Sequence, residues 1–133
     1  MNVKNNKKRV ILVEDDPAII DVYSTAFKNA DINLEVISSG ERAIRRVKES
    51  NESEEGKPDL VLLDLILPDI NGIEVLKAIK TDDKTKDVPV FILSNQTSLD
   101  LEKAGDIKPD KFIIKANITP TQLVKMLEEQ LQK

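Results

Sequence analysis

Short apolar runs separated by helix-like segments are the strongest pattern along the chain. Four runs of three or four residues are rich in β-branched side chains and contain no charge, which is typical of strands buried on both faces of a sheet. They are residues 10–13, 60–63, 90–93 and 112–114. A fifth segment, residues 34–37, carries Glu35 in its middle, which indicates an edge strand.

Segments with apolar residues at helical spacing follow the strands. Three of them begin with residues that commonly cap helices. These cap signals are Asp16-Pro17, Ser38-x-x-Glu41 and Thr119-Pro120-x-Gln122. Apolar spacing alone predicts the other two helices, through Ile73, Leu76 and Ile79 for the third and through Leu99, Leu101 and Ala104 for a weaker fourth.

Strand and helix therefore alternate five times, which predicts an α/β fold with a parallel sheet and helices on both faces. Five units are too few for a closed eight-stranded barrel, so we expect an open, doubly wound sheet. The ligand site of such a sheet lies beyond the carboxyl ends of its strands. The length of 133 residues fits one domain over 1–133, with its core at about 8–131.

The composition narrows the possible chemistry. The chain has no cysteine and no histidine, which excludes disulfides, zinc–thiolate sites and histidine-based catalysis. A net charge of −4 and the absence of tryptophan argue against direct binding of nucleic acid. The N-terminal residues do not resemble a signal peptide and the apolar runs are too short to span a bilayer, so we expect a cytoplasmic protein that does not bind membranes.

Polar side chains follow four of the predicted strands at their carboxyl ends. Glu14 and Asp15 come after the first run, Asp64 after the third, Ser94 after the fourth and Lys115 after the fifth. Carboxylates placed together at one edge of a sheet repel each other and need a proton or a cation. Three such oxygen donors, without histidine or cysteine, suit Mg²⁺ or Mn²⁺.

This set of groups favours phosphoryl chemistry. A divalent ion and Lys115 together could neutralise phosphate oxygens. Asp64 could attack phosphorus and become an aspartyl phosphate, and Ser94 could donate a hydrogen bond to the new phosphoryl group. Each residue alone is more often a cap, turn or surface residue, and only their joint occurrence at four strand ends favours a site.

The residues at these strand ends resemble the receiver domain of bacterial two-component response regulators. The resemblance covers nearly the whole chain, and its most specific segments are residues 11–17 and 58–72. Pro68 and Gly72 stand four and eight residues after Asp64, as in the family pattern. The resemblance implies a flavodoxin-like fold of five βα units with strand order 2-1-3-4-5.

The resemblance also implies how phosphate would arrive. Asp64 would accept a phosphoryl group from the phosphohistidine of a sensor histidine kinase or a histidine phosphotransfer protein. Asp15, Asp64 and the main-chain carbonyl of Ile66 would ligate Mg²⁺ directly, and Glu14 would hold the ion through water.

The remaining site residues would turn phosphorylation into a signal. Lys115 would pair with the phosphoryl group, while Ser94 and Phe112 would relay its arrival to the face formed by the fourth helix, fifth strand and fifth helix. The chain ends at Lys133, just after the fifth predicted helix, so we expect no output domain. The expectation is a stand-alone switch in a phosphorelay, not an enzyme, that docks a downstream protein as a monomer or a phosphorylation-dependent dimer.

Some positions depart from the family pattern. Ala116 follows Lys115 where proline with a cis bond is common, and a cis bond before a non-proline residue costs about 3 kcal/mol, so we expect a trans bond or local strain. Asn95 replaces a small residue, which predicts narrower access to the phosphoryl site. Pro109-Asp110 replaces a glycine–alanine turn, and Phe112 has no hydroxyl, so a switch there would act by packing.

Three other functions are alternatives to the switch. A phosphorylation-independent interaction module on the same fold would be marked by loss of an acidic residue or of the lysine. A metal-dependent phosphatase usually carries an aspartate two residues after its nucleophile, where this chain has Ile66. A flavin-binding protein would need a glycine- and hydroxyl-rich phosphate loop, whereas Glu14, Asp15 and Asp16 would repel a phosphate unless a metal ion intervened.

Overall fold

A five-stranded parallel sheet forms the centre of the protein. The computed structural model describes residues 7–50, 56–95 and 104–132. The strands are β1 (Lys8–Val13), β2 (Ile32–Ile37), β3 (Leu60–Leu63), β4 (Val90–Ser94) and β5 (Lys111–Ile114). Their order is β2-β1-β3-β4-β5, with all neighbours parallel, which confirms the predicted topology.

Helices cover both faces of this sheet. The described helices are α1 (Pro17–Phe27), α2 (Gly40–Lys48), α3 (Gly72–Lys80) and α4 (Pro120–Leu131). The helix predicted from positions 99, 101 and 104 falls mostly on residues 96–103, which lie outside the described residues. Within the described ranges, no helix has the length and apolar character needed to cross a bilayer.

The apolar side chains of the strands alternate between two cores. In β1, Ile11 and Val13 pack with α2 and α3, whereas Val10 and Leu12 pack with α1 and α4. Alternation is expected because successive side chains of a strand point to opposite faces. Burial on both faces explains the uninterrupted apolar runs and confirms the double winding.

Two of the predicted helix starts are present in the structure. Asp16 accepts a hydrogen bond from the Ala18 N–H at 2.9 Å, and Thr119 forms the predicted capping box with Gln122. The third was predicted one residue too early, because the cap of α2 is Ser39 and not Ser38.

Asp69, in the loop after β3, explains this shift. Its carboxylate accepts hydrogen bonds of 2.9 Å from the Ser39 hydroxyl and from the backbone N–H groups of Gly40 and Glu41. These contacts satisfy donors at the N-terminus of α2 that a helix leaves unpaired. The N–H groups of Glu41 and Gly40 hold the pKa of Asp69 well below its usual range. Asp69 thereby ties the loop after β3 to α2.

Gly72 fixes the other end of the same loop. Its N–H donates to the Leu65 carbonyl at 2.8 Å. A Cβ at this position would collide with the Asp64 carbonyl oxygen and lie 2.6 Å from the Leu65 Cα. The close approach of two backbone segments therefore requires glycine here.

We expect Gly72→Ala to destabilise the protein by about 2 kcal/mol, because the methyl group meets backbone atoms that cannot rotate away. Urea denaturation gives the free energy of unfolding that tests this value. Gly40→Ala is the matched comparison, since its Cβ would meet side-chain atoms only, Ile70 Cγ1 at 2.6 Å and Val75 Cγ2 at 3.0 Å, and no backbone atom among its nearest neighbours. Equal losses in the two variants would contradict a backbone collision at Gly72.

Asp69→Asn should lower stability in a pH-dependent way. A carboxyl whose folded-state pKa is depressed stabilises the fold above its unfolded-state pKa of about 3.9, and this contribution is lost as pH falls through the folded-state pKa. The difference in urea midpoint between the parent and the variant should therefore be largest near pH 7 and shrink below about pH 4.

The control for this experiment is Asp21→Asn. Asp21 is an exposed residue of α1 whose side chain makes no hydrogen bond within the described residues, so no comparable pH-dependent difference is expected. A parent–variant difference for Asp69 that stays constant from pH 7 to pH 2 would show that its charge does not cap α2.

Candidate functional site

The carboxyl ends of β1, β3 and β5 meet around an open cleft of about 520 Å³. The cleft brings together all four charged residues that the sequence indicated. The residues that line it are Glu14, Asp15, Asp16, Pro17, Ile19, Asp64, Ile66 and Lys115.

The backbone ladder of the sheet places the two buried carboxylates. The N–H of Glu14 donates to the Ile37 carbonyl, and the N–H of Asp64 donates to the Val13 carbonyl, both at 3.1 Å. Each residue therefore stands one step beyond its strand, held by the final backbone hydrogen bond of the parallel pairing.

Lys115 reaches both of these carboxylates. Its Nζ lies 2.8 Å from Glu14 Oε1 and 3.3 Å from Asp64 Oδ2. The side chains of Lys115, Glu14 and Asp64 are only 11%, 2% and 10% exposed. Charges with so little access to water cost free energy unless they are paired, so the three groups depend on one another.

Burial and pairing shift the pKa values in this cluster. Burial raises the pKa of Glu14, against the hydrogen bond from Lys115, and the charge of Asp64 raises it further. Burial also disfavours the charged form of Lys115, but its hydrogen bond to Glu14 and the two nearby carboxylates outweigh burial and raise its pKa. Lys115 is therefore a stable cation, while Glu14 is easier to protonate than an ordinary glutamate.

Asp15 differs from its neighbours because it is exposed. Within the described part of the chain, its carboxylate has no hydrogen bond and no ion pair. One oxygen from each of Glu14, Asp15 and Asp64 lies within 4.8 Å of the others. Three carboxylates and one ammonium leave a formal excess of two negative charges, and this set of oxygen donors fits Mg²⁺ or Mn²⁺.

Ile66, Ser94 and Phe112 occupy three different positions around the cleft. The Ile66 N–H donates to Asp64 Oδ1 at 3.3 Å, and its side chain is 59% exposed. Ser94 is buried at the end of β4, opposite Ile114 of β5, and does not line the cleft. Phe112 is half-buried against the core formed with α2 and α3.

The backbone after Lys115 departs from the family pattern as expected. No cis peptide bond occurs in the described residues, so the Lys115–Ala116 bond is trans. Residues Lys115–Asn117 form a 3₁₀ turn. The Asn95 Oδ1 accepts a hydrogen bond from the Ala116 N–H at 3.0 Å, and Asn95 is not among the cleft-lining residues.

The contact between Asn95 and Ala116 was not predicted from the sequence. The sequence did contain a signal for this contact, since Asn95 and Ala116, which both depart from the family pattern, directly follow Ser94 and Lys115. Only the pairing of β4 with β5 shows that these two positions meet.

Pro109-Asp110, the third departure from the family pattern, lies at the opposite end of the sheet. Asp110 Oδ2 accepts from the Val90 N–H and pairs with Lys80 Nζ, both at 2.7 Å. These contacts join the start of β5 to β4 and to α3, so we assign Asp110 a structural role.

A second, smaller groove of about 290 Å³ lies between β2 and α2. Three arginines contribute to it, and Arg46 is held by Glu35, with Nε 3.0 Å from Oε2. The groove contains neither the acidic cluster nor Lys115, so the candidate chemistry belongs to the cleft at the strand ends.

Sequence comparison identifies relatives over nearly the whole chain. Residues 10–128 match the family described as the response regulator receiver domain. The DNA-binding response regulator MtrA of Mycolicibacterium smegmatis is 29% identical over 128 residues, which are 96% of this chain and 52% of MtrA. This chain thus spans about half the length of the curated relatives it matches first.

Solved structures agree with this relationship. The phosphorylated cyanobacterial phytochrome response regulator RcpA superimposes with a TM-score of 0.81 and 30% identity, covering 96% of this chain and 95% of RcpA. The Mn²⁺-bound form of the response regulator Rcp1 gives a TM-score of 0.72 and 29% identity, covering 92% of this chain and 90% of Rcp1.

The chemotaxis regulator CheY4 of Vibrio cholerae, at 22% identity and a TM-score of 0.75, shares the fold. The family match, the strand order and the acidic cleft lead to one conclusion. This chain belongs to the response regulator receiver domains of two-component systems, a family in which phosphorylation of an aspartate is characteristic.

Proposed function

We propose that this chain is a Mg²⁺-dependent phosphoryl acceptor with Asp64 as the residue that is phosphorylated. The observation that supports this proposal best is the position of Lys115 Nζ, 3.3 Å from Asp64 Oδ2 inside a cluster of carboxylates. A nucleophilic carboxylate beside one fixed ammonium is suited to receive a group that carries negative oxygens.

The donor in this proposal is the phosphohistidine of a sensor histidine kinase or of a histidine phosphotransfer protein. A bond forms between an Asp64 carboxylate oxygen and phosphorus while the phosphorus–nitrogen bond breaks. The imidazole of the donor keeps the electron pair of that bond and takes up a proton. Lys115 stands beside the oxygens that arrive on Asp64 and stabilises their charge.

The metal site follows from the clustering of the three carboxylates of Glu14, Asp15 and Asp64. Asp15 is exposed and has no protein partner within the described residues, so we assign it as a direct ligand, together with Asp64 and the main-chain carbonyl of Ile66. Glu14 already holds Lys115, which supports contact with the ion through water. A bound Mg²⁺ would offset the excess negative charge and polarise the phosphoryl oxygens.

The output of the proposed switch is a population shift. Phosphorylation favours one of two arrangements of the domain, and a shift from 1% to 99% of the active arrangement needs a differential of about 5.5 kcal/mol. We assign Ser94, Phe112 and Lys115 to this relay, because they lie on the neighbouring strands β4 and β5 and on the turn after β5. We further propose that 1–133 forms one receiver domain that docks a separate protein, as a monomer or a phosphorylation-dependent dimer.

Asp64→Asn should abolish phosphate incorporation from acetyl phosphate in the presence of Mg²⁺, because an amide oxygen is a poor nucleophile. Mass spectrometry of the intact protein and hydroxylamine release of the label provide the measurement. Asp69→Asn is the matched control, since Asp69 lies in the same loop but binds α2, and it should still be phosphorylated. A parent protein that incorporates no phosphate would favour the phosphorylation-independent interaction module.

Asp15→Ala should weaken Mg²⁺ binding by about tenfold or more, since a direct ligand is lost. Isothermal titration calorimetry measures the dissociation constant. Asp21→Ala removes an exposed carboxylate of α1 outside the cleft and should leave Mg²⁺ affinity unchanged. Unchanged affinity in Asp15→Ala would remove Asp15 from the ligand set.

A further inference from the structure

The turn that follows Lys115 is held by a side chain from the neighbouring strand. The pairing of β4 with β5 ends at Ser94 and Ile114. The residues that follow these strands directly are Asn95 and Lys115. Asn95 reaches across this end of the sheet, and its Oδ1 accepts the Ala116 N–H at 3.0 Å.

This hydrogen bond requires both departures from the family pattern. A proline at position 116 would have no N–H to donate, and an alanine at position 95 would have no side-chain acceptor. Asn95 and Ala116 therefore form a matched donor–acceptor pair that joins the ends of two strands.

The pair constrains the backbone on both sides of Lys115. The β5 ladder fixes Ile114 before it, the Asn95 bond fixes Ala116 after it, and the Ile118 N–H closes the turn on the Lys115 carbonyl at 3.3 Å. The Lys115 side chain is long and flexible, but its ammonium must meet Glu14 and Asp64 at the same time. A fixed backbone reduces the conformational entropy that Lys115 loses when its ammonium binds both carboxylates.

We propose that Asn95 is a positioning residue for Lys115, which holds the Lys115–Ala116 peptide so that the ammonium stays over Asp64. This inference rests on the proposed function, because its consequence is measured in phosphorylation of Asp64. Asn95 acts through the backbone of the turn and does not itself line the cleft.

Obstruction of the cleft is the competing role for Asn95, and it predicts an effect of the opposite sign. If Asn95 only narrowed access, Asn95→Ala would accelerate phosphorylation by a small donor. If Asn95 positions Lys115, both Asn95→Ala and Asn95→Leu lose the acceptor, and both should slow phosphorylation by a small donor. The expected loss is about fivefold, which corresponds to about 1 kcal/mol for one hydrogen bond.

The experiment compares rate constants for phosphorylation of Asp64 by acetyl phosphate at saturating Mg²⁺, followed for hours by mass spectrometry. Asn117→Leu is the matched control, because Asn117 is exposed on the same turn and its side chain has no hydrogen bond within the described residues. Its rate constant should equal that of the parent. NMR hydrogen exchange of the Ala116 amide reports the Asn95 bond directly and should accelerate in Asn95→Leu.

A double-mutant cycle separates positioning from a general loss of stability. In a Lys115→Met background there is no ammonium to position, so Asn95→Leu should cause no further decrease in the rate constant. A fivefold loss that persists in this background would overturn the proposal. Faster phosphorylation of Asn95→Ala, or unchanged exchange of the Ala116 amide in Asn95→Leu, would overturn it as well.

The outcomes also distinguish this inference from the proposed function. If the parent protein is phosphorylated on Asp64 and Asn95→Leu matches it in rate, only the positioning role is lost. If the parent protein takes up no phosphate on Asp64, the proposed function fails, and the positioning role falls with it.

Discussion

The end of the parallel hydrogen-bond ladder is the constraint from which the site follows. The final backbone bonds of β1 and β3 hold Glu14 and Asp64 where little water reaches them. Two carboxylates in such a position need a positive partner, and Lys115 at the end of β5 provides it. Replacing a buried ion pair by apolar residues is often neutral or stabilising, so this cluster is weak evidence for stability and better evidence for a function that needs charge.

Two loops hold these charged residues in place, and each loop is fixed by a contact with another element. The loop after β3 is joined to α2 by Asp69 and to its own start by Gly72. The turn after β5 is joined to β4 by Asn95. Asp64 and Lys115 are thus supported by independent contacts, while the exposed Asp15 in the same cleft is accessible to a divalent ion.

Local signals in the sequence were sufficient to predict much of the fold and the residues of the candidate site. The apolar runs predicted the strands because residues such as Ile11 and Leu12 are buried on opposite faces. The strand order came from the family resemblance, since periodicity does not encode which strands are neighbours. The start of α2 at Ser39 was missed because its donors are partly satisfied by Asp69, thirty residues away. Such contacts between distant loops leave no periodic pattern in the chain.

The alternation of side chains in β1 has a consequence for how the site tolerates changes in length. Glu14 and Asp15 directly follow a strand whose successive side chains enter opposite cores, and Glu14 is buried whereas Asp15 is exposed. Deleting or inserting one residue inside β1 would move the side chains beyond that point to the other face of the sheet and displace both carboxylates. The buried side chains of β1 leave little room for changes in size, and the number of residues in β1 is additionally constrained by the position of the acidic pair.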